Sequence, residues 1–324
     1  MVEYGAIRLR YYFSDFIPGM IPPAIPLVQC PVFKIPRPVK RFAILPFVVL
    51  LYGCAGDGPR SFPSWAYQLQ GAEPSQIAAL NFGLVVIDYS RDGTEGGAYS
   101  RKEIGRLKSS GKVVLAYLSI GEAEDYRFYW REEWRRDPPP WLGPENPEWP
   151  GNYVVRYWED GWKGIVFRYL KRIVSRGFSG VYLDKLDSYE YFGDSLGYGE
   201  AARRMASLVM EVADSCRAWA GECVIIPQNG EGILKYVPGV LEYVDGWAVE
   251  DVLYGDGGPE RLATIRRVRD AGKIVLSVEY VYDGDVSKVE DYYRTAREEG
   301  LLPYAADTSR RLDRLVVIPG LQGE

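Results

Sequence analysis

With 324 residues, 47% of them hydrophobic and 26% charged, the chain has the composition of a soluble globular protein, long enough for one α/β barrel of about 250 residues plus an extension. Its net charge of −5 lacks the concentrated positive charge that binding to nucleic acid or an anionic membrane surface demands. Histidine is absent, which removes Ser-His-Asp and Cys-His mechanisms, His-ligated zinc and the usual general base near neutral pH, so catalysis must rest on carboxylates, Lys, Tyr or a cofactor.

Residues 1–38 are rich in Pro and aromatic side chains without helical or alternating periodicity, and read as an unstructured extension or an over-extended gene start. Within residues 39–54, Lys40-Arg41 precedes the mostly apolar run Phe42 to Tyr52, whose 11 residues are too few to span a bilayer comfortably. A basic flank followed by a short apolar stretch is the pattern of a secretory signal. Its end, Leu51-Tyr52-Gly53-Cys54, resembles a bacterial-type lipobox in which Tyr52 is the unusual residue. The expectation is an extracellular or cell-surface protein, membrane-anchored if Cys54 is lipidated, with residues 55–63 as a linker. The rival reading makes the apolar stretch a short anchor or a segment packed on the following domain.

From Ser64 onward strand and helix patterns alternate. Short apolar runs predict strands at Trp65 to Leu69, Leu84 to Asp88, Val113 to Leu118, Val181 to Asp184, Val224 to Pro227, Trp247 to Glu250, Ile274 to Val278 and Pro303 to Ala306. Helical patterns lie between them, at Ser75 to Leu80, Arg101 to Ser109, Trp162 to Arg176, Glu200 to Ala220, briefly after Gly230, at Pro259 to Ala271 and at Val286 to Glu299. Three of these close on a Gly just past the end, at Gly111, Gly272 and Gly300, and Pro259 opens another. Eight βα units with right-handed crossovers predict an α/β fold, a closed (β/α)8 TIM barrel over residues 64–324. A doubly wound open sheet is the alternative, yet no GxGxxG or GxxxxGK[ST] turn follows an early strand.

Two features stand apart from this alternation. Cys216 sits late in a helical stretch and Cys223 opens the next strand, so they form either a loop-closing disulfide in an oxidising compartment or two buried free thiols. Residues 124–160 carry Trp130, Trp134, Trp141, Trp149 and Trp158 among six prolines. A connection this long in a compact domain is functional or disordered, and its tryptophans argue for an aromatic lid on the barrel mouth, with structural packing as the plainer use.

The C-terminal tips of the strands are polar almost without exception: Gln68, Asp88, Glu122, Asp184 with Asp187, Gln228 with Asn229, Glu250, Glu279 with Tyr280, and Asp307. One acid after a strand is ordinarily a helix cap, but so many on the catalytic face of a barrel exceed what capping needs. Carboxylates, amides and aromatic rings without histidine or a metal motif suit glycoside hydrolysis, which requires one carboxylate and one carboxyl kept protonated by its surroundings. Asp184 and Glu250 both end strongly apolar runs that desolvate them and fix their positions. Glu250, the longer side chain, suits the proton donor and Asp184 the nucleophile. Asp88, Glu122 and Glu279 are rival acids, while Lys185 turns outward or forms an ion pair.

At Trp65 to Gln70, Val86 to Tyr89, Ala116 to Arg127, Gly180 to Asp187, Gln228 to Gly230 and Val249-Glu250 the sequence resembles the endo-α-1,4-polygalactosaminidase-like glycoside hydrolases. GEAEDYR (Gly121 to Arg127) and GVYLDKLD (Gly180 to Asp187) are the specific stretches. The resemblance implies a (β/α)8 barrel, secretion, and hydrolysis of a galactosaminogalactan-like polysaccharide by an Asp and a Glu, here Asp184 and Glu250. The family often shows Asp-Asn-x-Asp where this chain has Asp184-Lys185-Leu186-Asp187. The substrate-binding set expected around the pair is Gln68, Asp88, Tyr117, Glu122, Asp187, Gln228, Asn229, Glu279 and Asp307, with a polysaccharide as partner and with neither cofactor nor metal. Two other readings of the same face are a non-catalytic carbohydrate-binding barrel and a metal-assisted hydrolase with Asp88, Asp184 and Glu250 as oxygen ligands.

Overall fold

The computed structural model describes residues 62–324 apart from residue 256. The expectations for residues 1–38, for 39–54 with Cys54, and for 55–61 of the linker lie outside the described residues.

Strand β1 (Trp65–Gln68) leads through α1 (Pro74–Ala79) to β2 (Leu84–Ile87), and α2 (Arg101–Ser109) leads to β3 (Val113–Ser119). Three short strands follow, β4 (Glu122–Glu124), β5 (Leu142–Glu145) and β6 (Asn152–Val155), before α3 (Asp160–Arg176) and β7 (Gly180–Asp184). The single-turn helices α4 (Ser188–Tyr191) and α5 (Gly193–Leu196) precede α6 (Tyr198–Ala220) and β8 (Val224–Pro227). Two 3-10 turns, Glu231–Lys235 and Pro238–Glu242, stand where a short helix is predicted and lead to β9 (Gly246–Glu250). The chain closes with α7 (Gly258–Asp270), β10 (Ile274–Tyr282), α8 (Val286–Glu298) and β11 (Leu302–Asp307).

Local chemistry explains the borders. Helix α2 starts at a capping box, in which Ser100 Oγ accepts from the Glu103 N–H (3.3 Å) and Glu103 Oε2 from the Ser100 N–H (2.8 Å). Helix α3 stops at Gly177, whose φ of 87° lies in the left-handed region. Helix α6 buries Ala201, Met205, Leu208, Val209, Val212 and Cys216, an apolar stripe at three- and four-residue spacing. Cys216 and Cys223 form a disulfide across the turn into β8, with Cα atoms 5.8 Å apart.

Strands β1-β2-β3-β7-β8 make one parallel sheet and β9-β10-β11 a second. The two join where Gln228 bridges in parallel to Ala248 and the Asn229 N–H donates to the Ala248 carbonyl at 2.9 Å. At the opposite seam the Trp65 indole N–H donates to the Leu302 carbonyl (2.8 Å) and the Leu69 N–H to the Leu312 carbonyl (2.8 Å). The fold is the expected TIM barrel, and its parallel strands carry their C-terminal tips to one end. The runs LVVI of β2 and VIIP of β8 are buried throughout because helices cover the outside while side chains fill the inside. Within the barrel the rings of Trp65, Tyr67, Tyr182 and Tyr304 pack against one another, stacked or tilted. Gly180 is needed at the start of β7, since a Cβ there would sit 2.0 Å from the Val224 carbonyl oxygen.

The 124–160 stretch folds as an antiparallel sheet, β4-β6-β5, beside the barrel mouth. Its rings form a chain of contacts: Trp130 with Trp134, Trp134 with Trp141, and Trp141 with Trp162 of α3. Trp158 packs on Phe192 under Arg204, so of the five tryptophans Trp149, at 52% exposure, is the open one. Among the described residues no helix is long and apolar enough to cross a membrane.

Candidate active site

Strands β7 and β9 deliver Asp184 and Glu250 to the same end of the barrel. Each carboxylate is held differently. Asp184 Oδ2 accepts from the Tyr117 hydroxyl of β3 at 2.8 Å. Glu250 Oε1 accepts from the Tyr280 hydroxyl at 2.5 Å and Oε2 from Asn229 Nδ2 at 3.3 Å. Asn229 is itself fixed, because its side-chain oxygen accepts from the Glu250 N–H (3.0 Å) and from Arg261 Nη2 (3.2 Å) while its carbonyl accepts from the Trp247 indole (2.9 Å). Gln228 Oε1 accepts from the Tyr67 hydroxyl at 3.2 Å, and the Gln228 side chain also hydrogen-bonds Glu250.

The backbone is strained where the site is built. Lys185 (φ 64°), Asn229 (φ 53°) and Asp251 (φ 52°) are non-glycine residues in the left-handed region, and each follows a polar strand tip directly: Asp184, Gln228 and Glu250. Such conformations cost roughly 1–3 kcal/mol each and persist only where surrounding contacts over-determine them. The Lys185 ammonium lies 3.3 Å from Glu122 Oε1, and Arg310 pairs with Asp251 at 2.6 Å while lying over the Tyr280 ring. Gly121 allows the turn after β3 to approach this loop, for a Cβ would stand 2.1 Å from the Lys185 carbonyl oxygen.

Burial pushes Asp184 up to about 7, and the neighbouring charges of Glu250 and Asp187 push the same way, against Lys185 and the Tyr117 hydroxyl. Burial also raises Glu250, aided by Asp251 and opposed by its donors Tyr280, Asn229 and Gln228. The charge of Glu250 thus favours a protonated Asp184, and ionising both acids at once is disfavoured. One protonated carboxyl beside one carboxylate is the equipment of acid and nucleophilic or basic catalysis. The Tyr182 hydroxyl, two residues before Asp184 on β7, is buried without a partner.

The other expected residues take varied places. Tyr117, Gln228 and Asn229 join the pair. Glu122 accepts from Asn146 (2.8 Å) and Asn152 (3.2 Å) besides pairing with Lys185, so its charge is neutralised where β4 meets β6. Asp187, raised by burial, lines a cavity of about 310 Å³ with Lys185, Glu190, Tyr191 and the Pro144–Pro147 turn. Asp88 is buried against Arg127 Nη1 at 2.7 Å. Gln68 Nε2 donates to the Gln70 and Asp313 carbonyls. Burial would raise Asp307, but hydrogen bonds from Ser309 and its ion pair with Arg314 hold it below the usual range. Glu279 Oε1 accepts from the Leu253 N–H at 2.8 Å, its other oxygen is unpartnered, and burial pushes it up to about 7.

Sequence reasoning missed Arg127, Arg261 and Arg310, all of which reach the site from loops or helices, and it gave Tyr280 no role. Arg127 closes the specific GEAEDYR stretch, which was its signal; no local signal marks Arg261 or Arg310, and for Tyr280 the signal was its place directly after the acidic tip Glu279. Among the described residues no cluster of three or more Cys, Asp, Glu or His is arranged to hold a metal ion. A larger cavity of about 500 Å³ is lined by Leu80–Gly83 and Ser110–Val113, the segments entering β2 and β3, so it opens at the end of the barrel opposite the pair.

Comparison with known proteins gives concordant matches. The model of glycoside-hydrolase family GH114 matches residues 55–321. An uncharacterized protein of Methanocaldococcus jannaschii, MJ1477, is 49% identical over 269 residues, 78% of this chain and 77% of that one. One from Thermotoga maritima is 46% identical over 276 residues, 81% of this chain and 85% of that one. In structure the chain is similar to Ega3 of Aspergillus fumigatus in complex with galactosamine (TM-score 0.61, 18% identity, 78% of this chain and 94% of that one). It is similar also to the glycoside hydrolase domain of PelA from Pseudomonas aeruginosa (TM-score 0.63, 19% identity, 82% of this chain and 100% of that one).

Proposed function

The chain belongs to glycoside-hydrolase family GH114, and on that premise we propose that it hydrolyses an amino-sugar polysaccharide of the galactosaminogalactan type, cutting within the polymer by a two-carboxylate retaining mechanism. The observation that carries this reading is the placing of two partly buried carboxyls at the tips of β7 and β9: Asp184, raised by burial and by the charge of Glu250, and Glu250, held by Tyr280 and Asn229. In the mechanism Glu250 protonates the glycosidic oxygen while Asp184 attacks the anomeric carbon. Water, deprotonated by Glu250, then releases the sugar from Asp184. Tyr280 and Asn229 hold the acid in place, and Tyr117 supports the nucleophile as its charge changes. Asp187 and Glu190 in the adjoining cavity, and the exposed Tyr191 ring, suit a cationic sugar that needs both counter-charge and an apolar face. The galactosamine held by the Ega3 fold neighbour supports that choice.

The test is incubation with partially deacetylated galactosamine polymers and other amino-sugar polysaccharides, followed by mass analysis of the products. Internal cleavage giving a ladder of oligomers is the expected result. Proton NMR of the first products reports the mechanism: an anomer of the same configuration as the substrate supports retention, and the opposite anomer replaces it by inversion. An extracellular or cell-surface location, with a lipid on Cys54, belongs to the same proposal. The signal-like residues 39–54 and the Cys216–Cys223 disulfide, a bond of oxidising compartments, support it. A mature N-terminus at a lipidated Cys54 in the membrane fraction is the expected mass; an intact Met1 would refute it.

A further inference from the structure

GEAEDYR marks the family resemblance, yet its last residue, Arg127, has no part in the catalytic pair. The side chain is 1% exposed, with Nε 2.6 Å from Glu124 Oε2 and Nη1 2.7 Å from Asp88 Oδ1. Nη1 also donates to the Tyr169 hydroxyl at 3.1 Å. The guanidinium carbon lies 4.9 Å from the Tyr126 ring centroid, 5.8 Å from that of Tyr169 and 5.7 Å from that of Tyr117. Tyr117 is the residue whose hydroxyl donates to Asp184 Oδ2 at 2.8 Å. Guanidinium, ring and reactive carboxylate therefore form one continuous series of contacts.

We propose that Arg127 is a positioning residue for Asp184, acting through Tyr117. The inference rests on the reading of Asp184 as the nucleophile. A guanidinium suits the task because its fork binds two carboxylates at fixed angles while its flat face meets aromatic rings. Asp88 and Glu124 fix the fork, the fork fixes the Tyr117 ring, and the ring aims its hydroxyl at Asp184. That donor stabilises the carboxylate form against the groups that oppose it. Facing Asp184 are Glu250 from β9, Lys185 and Asp187 from its own loop, and the Tyr67 and Tyr182 rings of the barrel interior. A Tyr117 ring free to turn would leave Asp184 without the hydroxyl, and its proton would be held to higher pH.

The test compares Arg127→Lys, which keeps the charge and loses the fork, with Tyr117→Phe and with the double variant. Each single variant is expected to lower kcat ~10-fold with KM little changed, the size expected for one hydrogen bond to a charged group. Each should also move the ionisation of Asp184 upward, read from the pH dependence of thermal stability against the same background carrying Asp184→Asn. The double variant should be no slower than Tyr117→Phe alone. Two results overturn the proposal: Arg127→Lys lowering kcat by the same factor in the Tyr117→Phe background as in the native one, or lowering only the melting temperature while kcat and the Asp184 ionisation stay put. If the native protein cleaves none of the amino-sugar polymers, the hydrolase reading falls, whereas the Asp184 ionisation in the variants still decides for or against the coupling.

Discussion

Two strands end alike, and the proposal gives their acids different work. Leu84–Ile87 of β2 runs into Asp88, and Gly180–Leu183 of β7 runs into Asp184. Burial pushes both carboxyls up. At Asp88 the charge and hydrogen bond of Arg127 oppose that push, and the Ser90 N–H adds a further donor at 2.9 Å. At Asp184 the charges of Glu250 and Asp187 reinforce it, against the smaller opposing effects of Lys185 and the Tyr117 hydroxyl. On the proposed roles, an acid at a strand tip becomes scaffold or reagent according to the charge it is given as a neighbour.

The sharpest way to break the comparison is to neutralise each acid in turn. Asp184→Asn is expected to lower kcat ~10⁴-fold or more with the fold retained, and Glu250→Gln by ~10²–10⁴-fold, the range for loss of general acid catalysis. A substrate with an activated leaving group should rescue Glu250→Gln and leave Asp184→Asn inactive; the reverse pattern would exchange the two roles. Asp88→Asn should do the opposite, retaining activity to within about tenfold at low temperature while losing stability. Removing one partner of a buried ion pair costs ~3–5 kcal/mol, and Glu124, still paired with Arg127 at 2.6 Å, keeps the loss toward the lower figure. Urea unfolding of the variant measures it.

A smaller effect concerns the ionisation of the two acids. With Asp184 near 7 and acting as the nucleophile, activity should rise with pH toward about 7 as Asp184 ionises, and decline where Glu250, raised by burial, loses its proton. In Tyr280→Phe, which removes the 2.5 Å donor to Glu250, that decline should move to higher pH, because the charged form has lost a stabilising hydrogen bond. An unchanged profile in that variant would detach Glu250 from the titration.

The contrast between Asp88 and Asp184 also marks how far sequence reaches. All eight barrel strands were legible, because a parallel strand covered on both faces needs an unbroken apolar run and little else produces one so short. The polar tips were legible for the same reason, since they stop those runs. What could not be read was the sorting of the tips. LVVID and VYLD look alike, and the difference lies in Arg127, which is 39 residues beyond Asp88. Likewise the sequence could not show that Gln68 donates to the Asp313 carbonyl and that Asp307 pairs with Arg314 of the C-terminal segment. Lys185 and Asn229 adopt left-handed backbone that no local preference for lysine would have suggested.

The smallest effect concerns stability and has a definite sign. In the unfolded chain Asp184 ionises near ~3.9, whereas in the fold it holds its proton to about 7. Below about pH 4 both states are protonated and the group contributes nothing. Between about 4 and 7 the unfolded chain releases a proton that the folded one keeps, so stability falls as pH rises, and above 7 the full penalty of a buried, repelled charge is present. Asn at this position cannot ionise. Asp184→Asn should therefore melt at nearly the native temperature at pH 4 and above it, by several degrees, at pH 8. Asp88→Asn should melt lower than the native protein at pH 8, because Arg127 loses one partner of its buried ion pair, although burial raises Asp88 as well. Opposite signs at two sequence-similar strand tips, measured in one set of melting curves, are the outcome the comparison requires. If Asp184→Asn is destabilised at pH 8, Asp184 belongs with Asp88 as scaffold, and the nucleophile must be sought elsewhere on the face.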